Sequence, residues 1–278
     1  MLTRRRLLVS AAAAAVPLAV AGSAARAAEA ALPELNMEAL IKAAQIDPRR
    51  PDQAITDGAL DSVLLVERAL QAKGFLSASY VDGHFGTSTI SAYAAYQRSL
   101  GYSGLDASGL PGPTSLRLLG EGRYTVTMPI AIGSRLTFRG VQVNTRTRDM
   151  LLEAERLLGR QLSITQGSYN TGNPASAGTH DGGGVLDLSV TNISTADRTT
   201  IVRQLRTVGF AAWLRTPSQG DWPYHIHAVA LGDTDQSAAA QHQSGDYYLG
   251  LNGLANKAPD DGPVVTPKRT WEEYRRGV

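Results

Sequence analysis

The chain has 278 residues, no cysteine, 19% charged residues and a formal net charge of +2. That length admits one large or two modest domains. The near-balance of charge provides no field suited to nucleic acid, and the lack of cysteine excludes a disulfide scaffold.

The N-terminus reads as an export signal. Arg4-Arg5-Arg6 precedes an apolar run over residues 9–21, and Ala25-Arg26-Ala27 offers a small-x-small cleavage site. Basic, apolar and small-residue segments in that order define a secretory signal peptide, here over residues 1–27, and the arginines before Leu7-Leu8 have the twin-arginine form. The mature chain is therefore expected to be secreted. Beyond this segment nothing approaches the run of about 18 apolar residues that spans a bilayer, so no stable membrane insertion is expected after cleavage.

Residues 28–56 are expected to be a linker. They hold a short helical pattern over 37–45 and then Asp47-Pro48-Arg49-Arg50-Pro51, which has linker chemistry. Apolar spacing predicts a helix over 60–74, stopped by Gly74, and a second over 87–100. Leu110-Pro111-Gly112-Pro113-Thr114 opens a third, shorter helix. The loops at Asp82-Gly83-His84-Phe85-Gly86 and Asp106-Ala107-Ser108-Gly109 look alike, each placing Asp and Gly in a turn with a hydroxyl near the next helix start. His84 reads as a surface turn residue.

From residue 124 onward the pattern shortens. A helix is expected over 148–158, strands over 162–166 and 185–190, a helix over 195–207, and strands over 210–214 and 224–231. Residues 236–278 are polar and less regular, a C-terminal extension expected to be an extended arm or flexible. His242 lies there and is expected on the surface.

Two short clusters carry the chemistry. In Thr179-His180-Asp181-Gly182-Gly183-Gly184-Val185-Leu186-Asp187, a glycine-rich turn lets His180 and Asp187 reach one point. In His225-Ile226-His227, alternation along a strand puts both imidazoles on one face. A hydrolytic zinc takes three such ligands and leaves a fourth position for water. Gly182, Gly183 and Gly184 are expected to keep the space over the metal open, and Asp181 to hydrogen-bond a ligand imidazole.

His180, six intervening residues, Asp187 and the later His225-Ile226-His227 resemble the D-alanyl-D-alanine metallopeptidase superfamily, over residues 148–232. The resemblance implies a small α+β domain around an antiparallel sheet, assigned to residues 124–235. It implies Zn2+ on His180, Asp187 and His227, with His225 handling protons beside the metal. The implied reaction is hydrolysis of stem-peptide or cross-link amide bonds in peptidoglycan, as a D,D-carboxypeptidase or endopeptidase. Residues 57–120, through Ala69-Leu70-Gln71-Ala72-Lys73-Gly74-Phe75, Ala95-Tyr96-Gln97 and the two loops, resemble a peptidoglycan-binding-like three-helix module. Its implied contacts are the loop 82–85 with Tyr80 and Tyr96. The implied partner is thus peptidoglycan and the implied location secreted or wall-associated.

The chain also departs from the family. Many relatives place a carboxylate where Tyr224 stands, and the nearest acid in sequence is Asp221. Many carry an arginine in the turn that here reads Gln166-Gly167-Ser168-Tyr169-Asn170, where Gln166, Tyr169 or Asn170 would donate instead. The missing arginine tilts the expectation toward an internal bond. The alternative is a non-catalytic, metal-stabilised wall-binding protein.

Overall fold

The computed structural model describes residues 31–278, so the expected signal peptide lies outside the described residues. Strand β1 (Glu34–Asn36) runs directly into helix α1 (Met37–Ile46), whose N-terminus is capped by the Asn36 side chain accepting from Ala39 N. Met37, Leu40, Ile41 and Ala44 fall at i, i+3, i+4 and i+7, and all are buried. A 3-10 turn over Asp47–Arg49 follows. The linker expected over 28–56 is therefore corrected: residues 34–49 are packed structure. The proline-rich signal begins only after the helix has buried its face.

Helices α2 (Leu60–Ala72), α3 (Thr87–Ser99) and α4 (Pro113–Leu119) share one apolar core with α1. Each of the two similar loops is stapled by a buried side chain. Glu67 on α2 accepts from the backbone N–H of Asp82 and Gly83 and from the Thr89 hydroxyl. Gln97 on α3 accepts from Gly109 N and donates to Leu110 O. Tyr96 is buried, its hydroxyl donating to Ser115 O, so the expectation that it meets a ligand is corrected. Tyr80 is exposed. Strand β2 (Thr125–Thr127) pairs in parallel with β1, and Tyr124 and Ile130 close the same core.

The chain continues through a hairpin of β3 (Arg135–Phe138) and β4 (Val141–Asn144) into α5 (Thr145–Leu158). Then come β5 (Ile164–Gln166), β6 (Val185–Ser189), α6 (Thr195–Thr207), β7 (Phe210–Arg215) and β8 (His225–Ala230). The last four strands form one antiparallel sheet in the order β5-β6-β8-β7. Strand periodicity divides its residues cleanly. Leu186, Leu188, Phe210, Ala212, Ile226 and Ala228 join the core beneath α5 and α6. Val185, Ala211, Trp213 and Val229 lie on the other face, under α7 (Ala238–Tyr248). A final short helix, α8 (Trp271–Arg276), is anchored by the Arg146–Glu272 ion pair. The fold is mixed α+β, and residues 32–278 form one compact unit containing these separate cores.

The extension expected over 236–278 is also corrected. Helix α7 buries Gln241, Gln243 and Ser244 beside Ala240 and Tyr247. Arg206, itself buried, donates to Pro263 O and pairs with Asp260. The polarity that suggested a loose arm belongs to groups that are buried but hydrogen-bonded, a combination that costs little.

Candidate metal centre

His180, Asp187 and His227 converge. Their donor atoms all lie within 4.8 Å of one another, and the His180 and His227 side chains are only 1% and 6% exposed. Asp187 comes from the middle of β6 and is the register partner of His227 on β8, so both point to the same face. His180 comes from a 3-10 turn over Thr179–Asp181 that follows left-handed residues at Ala177 and Gly178.

The glycine turn does a different job from the one expected. Gly183 N donates to Asp235 O, and a Cβ on Gly182 would run into the Asp235 carbonyl and the Ser237 amide. These glycines let two backbone segments pack face to face, rather than keeping space open over the cluster. Asp181 is not the partner of a ligand imidazole either. His180 Nδ1–H donates to Gly167 O at 2.8 Å, which leaves Nε2 facing Asp187 Oδ2 at 3.3 Å.

The tautomer of His227 is fixed in the same way. Gln243 donates through Nε2 to Gly253 O, so its Oε1 must accept from His227 Nε2–H, at 2.8 Å. His227 Nδ1 then faces Asp187 Oδ1 at 2.8 Å. Burial favours the neutral form of His227 and outweighs the pull of Asp187, lowering its pKa. A neutral imidazole with its Nδ1 lone pair against a carboxylate oxygen is repulsive unless a cation lies between them.

That arrangement fits a metal ion. Donors bonded to a tetrahedral zinc stand roughly 3.3–3.6 Å apart, and here the Asp187 oxygens lie 3.3 Å from His180 Nε2 and 2.8 Å from His227 Nδ1. The backbone carbonyl and the glutamine amide supply the outer support that orients ligand imidazoles. The buried His-Asp-His group can therefore hold a metal ion through His180 Nε2, an Asp187 oxygen and His227 Nδ1.

His225 lies outside this group but beside it. Its Nδ1–H donates to Pro223 O at 2.8 Å, which turns Nε2 toward the cluster, 3.8 Å from Asp187 Oδ1. The cluster and His225 open together on a cavity of about 880 Å³. His242, exposed as expected, stands on its wall, and Asp221 also lines it. Tyr224 is 50% exposed with Arg198 over its ring. Tyr169, one of the expected donors, is committed elsewhere, its hydroxyl donating to Asp235 at 2.7 Å. Gln166 does line the cavity, and its Nε2 is buried without a partner. His84 belongs to the helical core's loop and takes no part in the cluster.

Sequence reasoning missed two residues. Gln243 lies in a polar segment whose local pattern gives no sign of burial. Arg215 lies one residue past the strand expected over 210–214. One more residue of alternation from Trp213 would have placed it on the functional face. No protein-family model, curated protein or solved structure matches the chain.

Proposed function

We propose that the chain is an exported, zinc-dependent hydrolase of peptide amide bonds in peptidoglycan. The observation that carries this reading is His225: an imidazole with one nitrogen tethered to Pro223 O and the other free beside a buried His-Asp-His group, at the floor of a large cavity. A purely structural metal site is closed by its ligands and has no need of such a neighbour.

When bound at His180, Asp187 and His227, zinc would acidify a water and polarise the scissile carbonyl. The protein's own groups supply the rest. His225 Nε2 accepts a proton at the attacking side and returns it to the departing amine, a role suited to an imidazole near neutral pH. Gln166 Nε2, lacking any partner in the protein, donates to a substrate carbonyl. The His-x6-Asp and His-x-His spacing, with its likeness to the D-alanyl-D-alanine metallopeptidases, supports the substrate class. The likeness of residues 57–120 to a peptidoglycan-binding-like module supports the same partner and a wall-associated location.

The second reading, a metal-stabilised wall-binding protein without activity, draws on Tyr224, whose ring packs against Arg198 where many relatives offer a carboxylate. Mass spectrometry of purified muropeptides after incubation with the zinc-loaded mature chain separates the two. Release of D-Ala or conversion of dimers to monomers supports the hydrolase. Intact muropeptides that nevertheless co-sediment with the protein support the binding reading.

A further inference from the structure

The functional face of the sheet carries a second charged group beyond the metal cluster. On the antiparallel sheet the cross-strand partners are Gln166 with Asp187, Asp187 with His227, and His227 with Trp213. One step along the strands, Ser189 pairs with His225 and His225 with Arg215. Cross-strand partners share a face, so Arg215 stands beside His225 at the β7 edge, with Gln166 across the cluster at the β5 edge.

Arg215 is only 2% exposed. Its guanidinium stacks over the Trp213 indole, 4.9 Å from the ring centre, and Nη1 donates to Asn252 O. Nη2 is buried with no partner, although the residue lines the cavity. Among the described residues no carboxylate forms an ion pair with it. Burial depresses its pKa to about 10, which still leaves it charged near neutral pH. Gly253 keeps this end of the cavity clear: a Cβ there would come within 3.0 Å of the Trp213 ring and 3.4 Å of Arg215 Nη2. The guanidinium keeps an unpaired donor, and Asp187, Asp260 and Asp261 act on its charge only from beyond ion-pair distance, so no anion is in contact with it.

We infer that Arg215 is the binding residue for a free terminal carboxylate of the substrate, which makes the chain an exopeptidase acting on a carboxy-terminal residue. This rests on the hydrolase reading above and deepens it. The distances suit that assignment. Neighbouring strands lie about 4.8 Å apart and one extended residue spans about 3.5 Å. A carboxylate held at Arg215 therefore lays the terminal amide, one residue upstream, across His225 and the metal ligands. Gln166 then meets a carbonyl on the far side. The arginine missing from the turn after β5 is thus replaced from the opposite edge of the sheet, and the tilt toward an internal bond reverses.

The test compares an N-acylated peptide ending in D-Ala-D-Ala with its carboxy-terminal amide, on the zinc-loaded chain and on Arg215→Gln with its zinc content verified. The expected result is a kcat/KM on the order of a hundredfold higher for the acid. Arg215→Gln should lose that advantage by slowing the acid alone, and Arg215→Lys should recover part of it. Equal cleavage of acid and amide by the wild type overturns the inference while leaving the hydrolase standing. If the wild type cleaves neither, calorimetric titration with the same two peptides decides. Preferential binding of the acid, lost in Arg215→Gln, upholds the carboxylate site and sinks the hydrolase, whereas equal binding overturns both. The wild-type comparison needs no variant, so it holds even where Arg215→Gln does not fold.

Discussion

Gln243 accepts from His227 Nε2–H at 2.8 Å, and that bond leaves Nδ1 as the nitrogen facing Asp187. The amide is itself oriented by its donation to Gly253 O. Removing it frees the imidazole to rotate or change tautomer. Gln243→Leu is therefore expected to weaken zinc binding about 10- to 100-fold, read by competition with a chromogenic chelator. Gln243→Glu, which can still accept from Nε2–H, should restore most of the affinity. Unchanged affinity in the leucine variant would show that the tautomer is not set here.

His225 and His227 lie two residues apart but should fail differently. His227→Ala removes a donor, so zinc content and turnover fall together. His225→Ala leaves the three donors in place and should keep its zinc while turnover drops about a hundredfold or more. Metal analysis beside muropeptide kinetics tells them apart. Loss of zinc from His225→Ala would make it a ligand.

Zinc should also stabilise the fold, because it relieves the unfavourable facing of His227 Nδ1 and Asp187 Oδ1. At a free zinc concentration 100 times the dissociation constant, linkage gives about 2.7 kcal/mol. For a chain of this size that corresponds to a rise in melting temperature of roughly 5–10 °C, lost on adding a strong chelator. Scanning calorimetry of His227→Ala should show no zinc-dependent shift.

The parts of this site visible in the sequence were those written as local pattern. His180 and Asp187 stand seven residues apart across a glycine turn, and His225 and His227 alternate on a strand; the structure brings all four together. What stayed hidden depends on long-range partners. Gln243 is polar and comes from α7, and only its hydrogen bonds to His227 and Gly253 explain why it is buried. Arg215 looks like the end of a strand until the register with His225 places it on the functional face. Helix α1 was legible as a helix, but nothing local told that its apolar face completes a core with α2, α3 and α4.

That shared core has a direct consequence for stability. Leu40 is fully buried within it. Leu40→Ala should cost about 2–5 kcal/mol in chemical unfolding, the range for a large buried aliphatic cut back to a methyl. A true linker residue would cost within about 0.5 kcal/mol when changed.

Glu67 provides the pH-dependent term. It is fully buried, and burial raises its pKa from 4.5 to about 7 despite the donors from Gly83, Thr89 and Asp82. The folded state therefore holds this proton more tightly than the unfolded chain. Its contribution to stability is fully present below about pH 4.5 and is lost as pH rises through about 7. Glutamine suits the same pocket: its carbonyl can take the Asp82 and Gly83 N–H groups, and its amide N–H can donate to the Thr89 hydroxyl. Glu67→Gln should accordingly fold, gain on the wild type above pH 7, and show a flatter stability profile between pH 4.5 and 7. Urea unfolding of both proteins at matched zinc across that interval measures the difference, because the other titrating groups are common to the pair. If the two curves stay parallel, Glu67 is ionised throughout and its three donors, rather than burial, govern its charge.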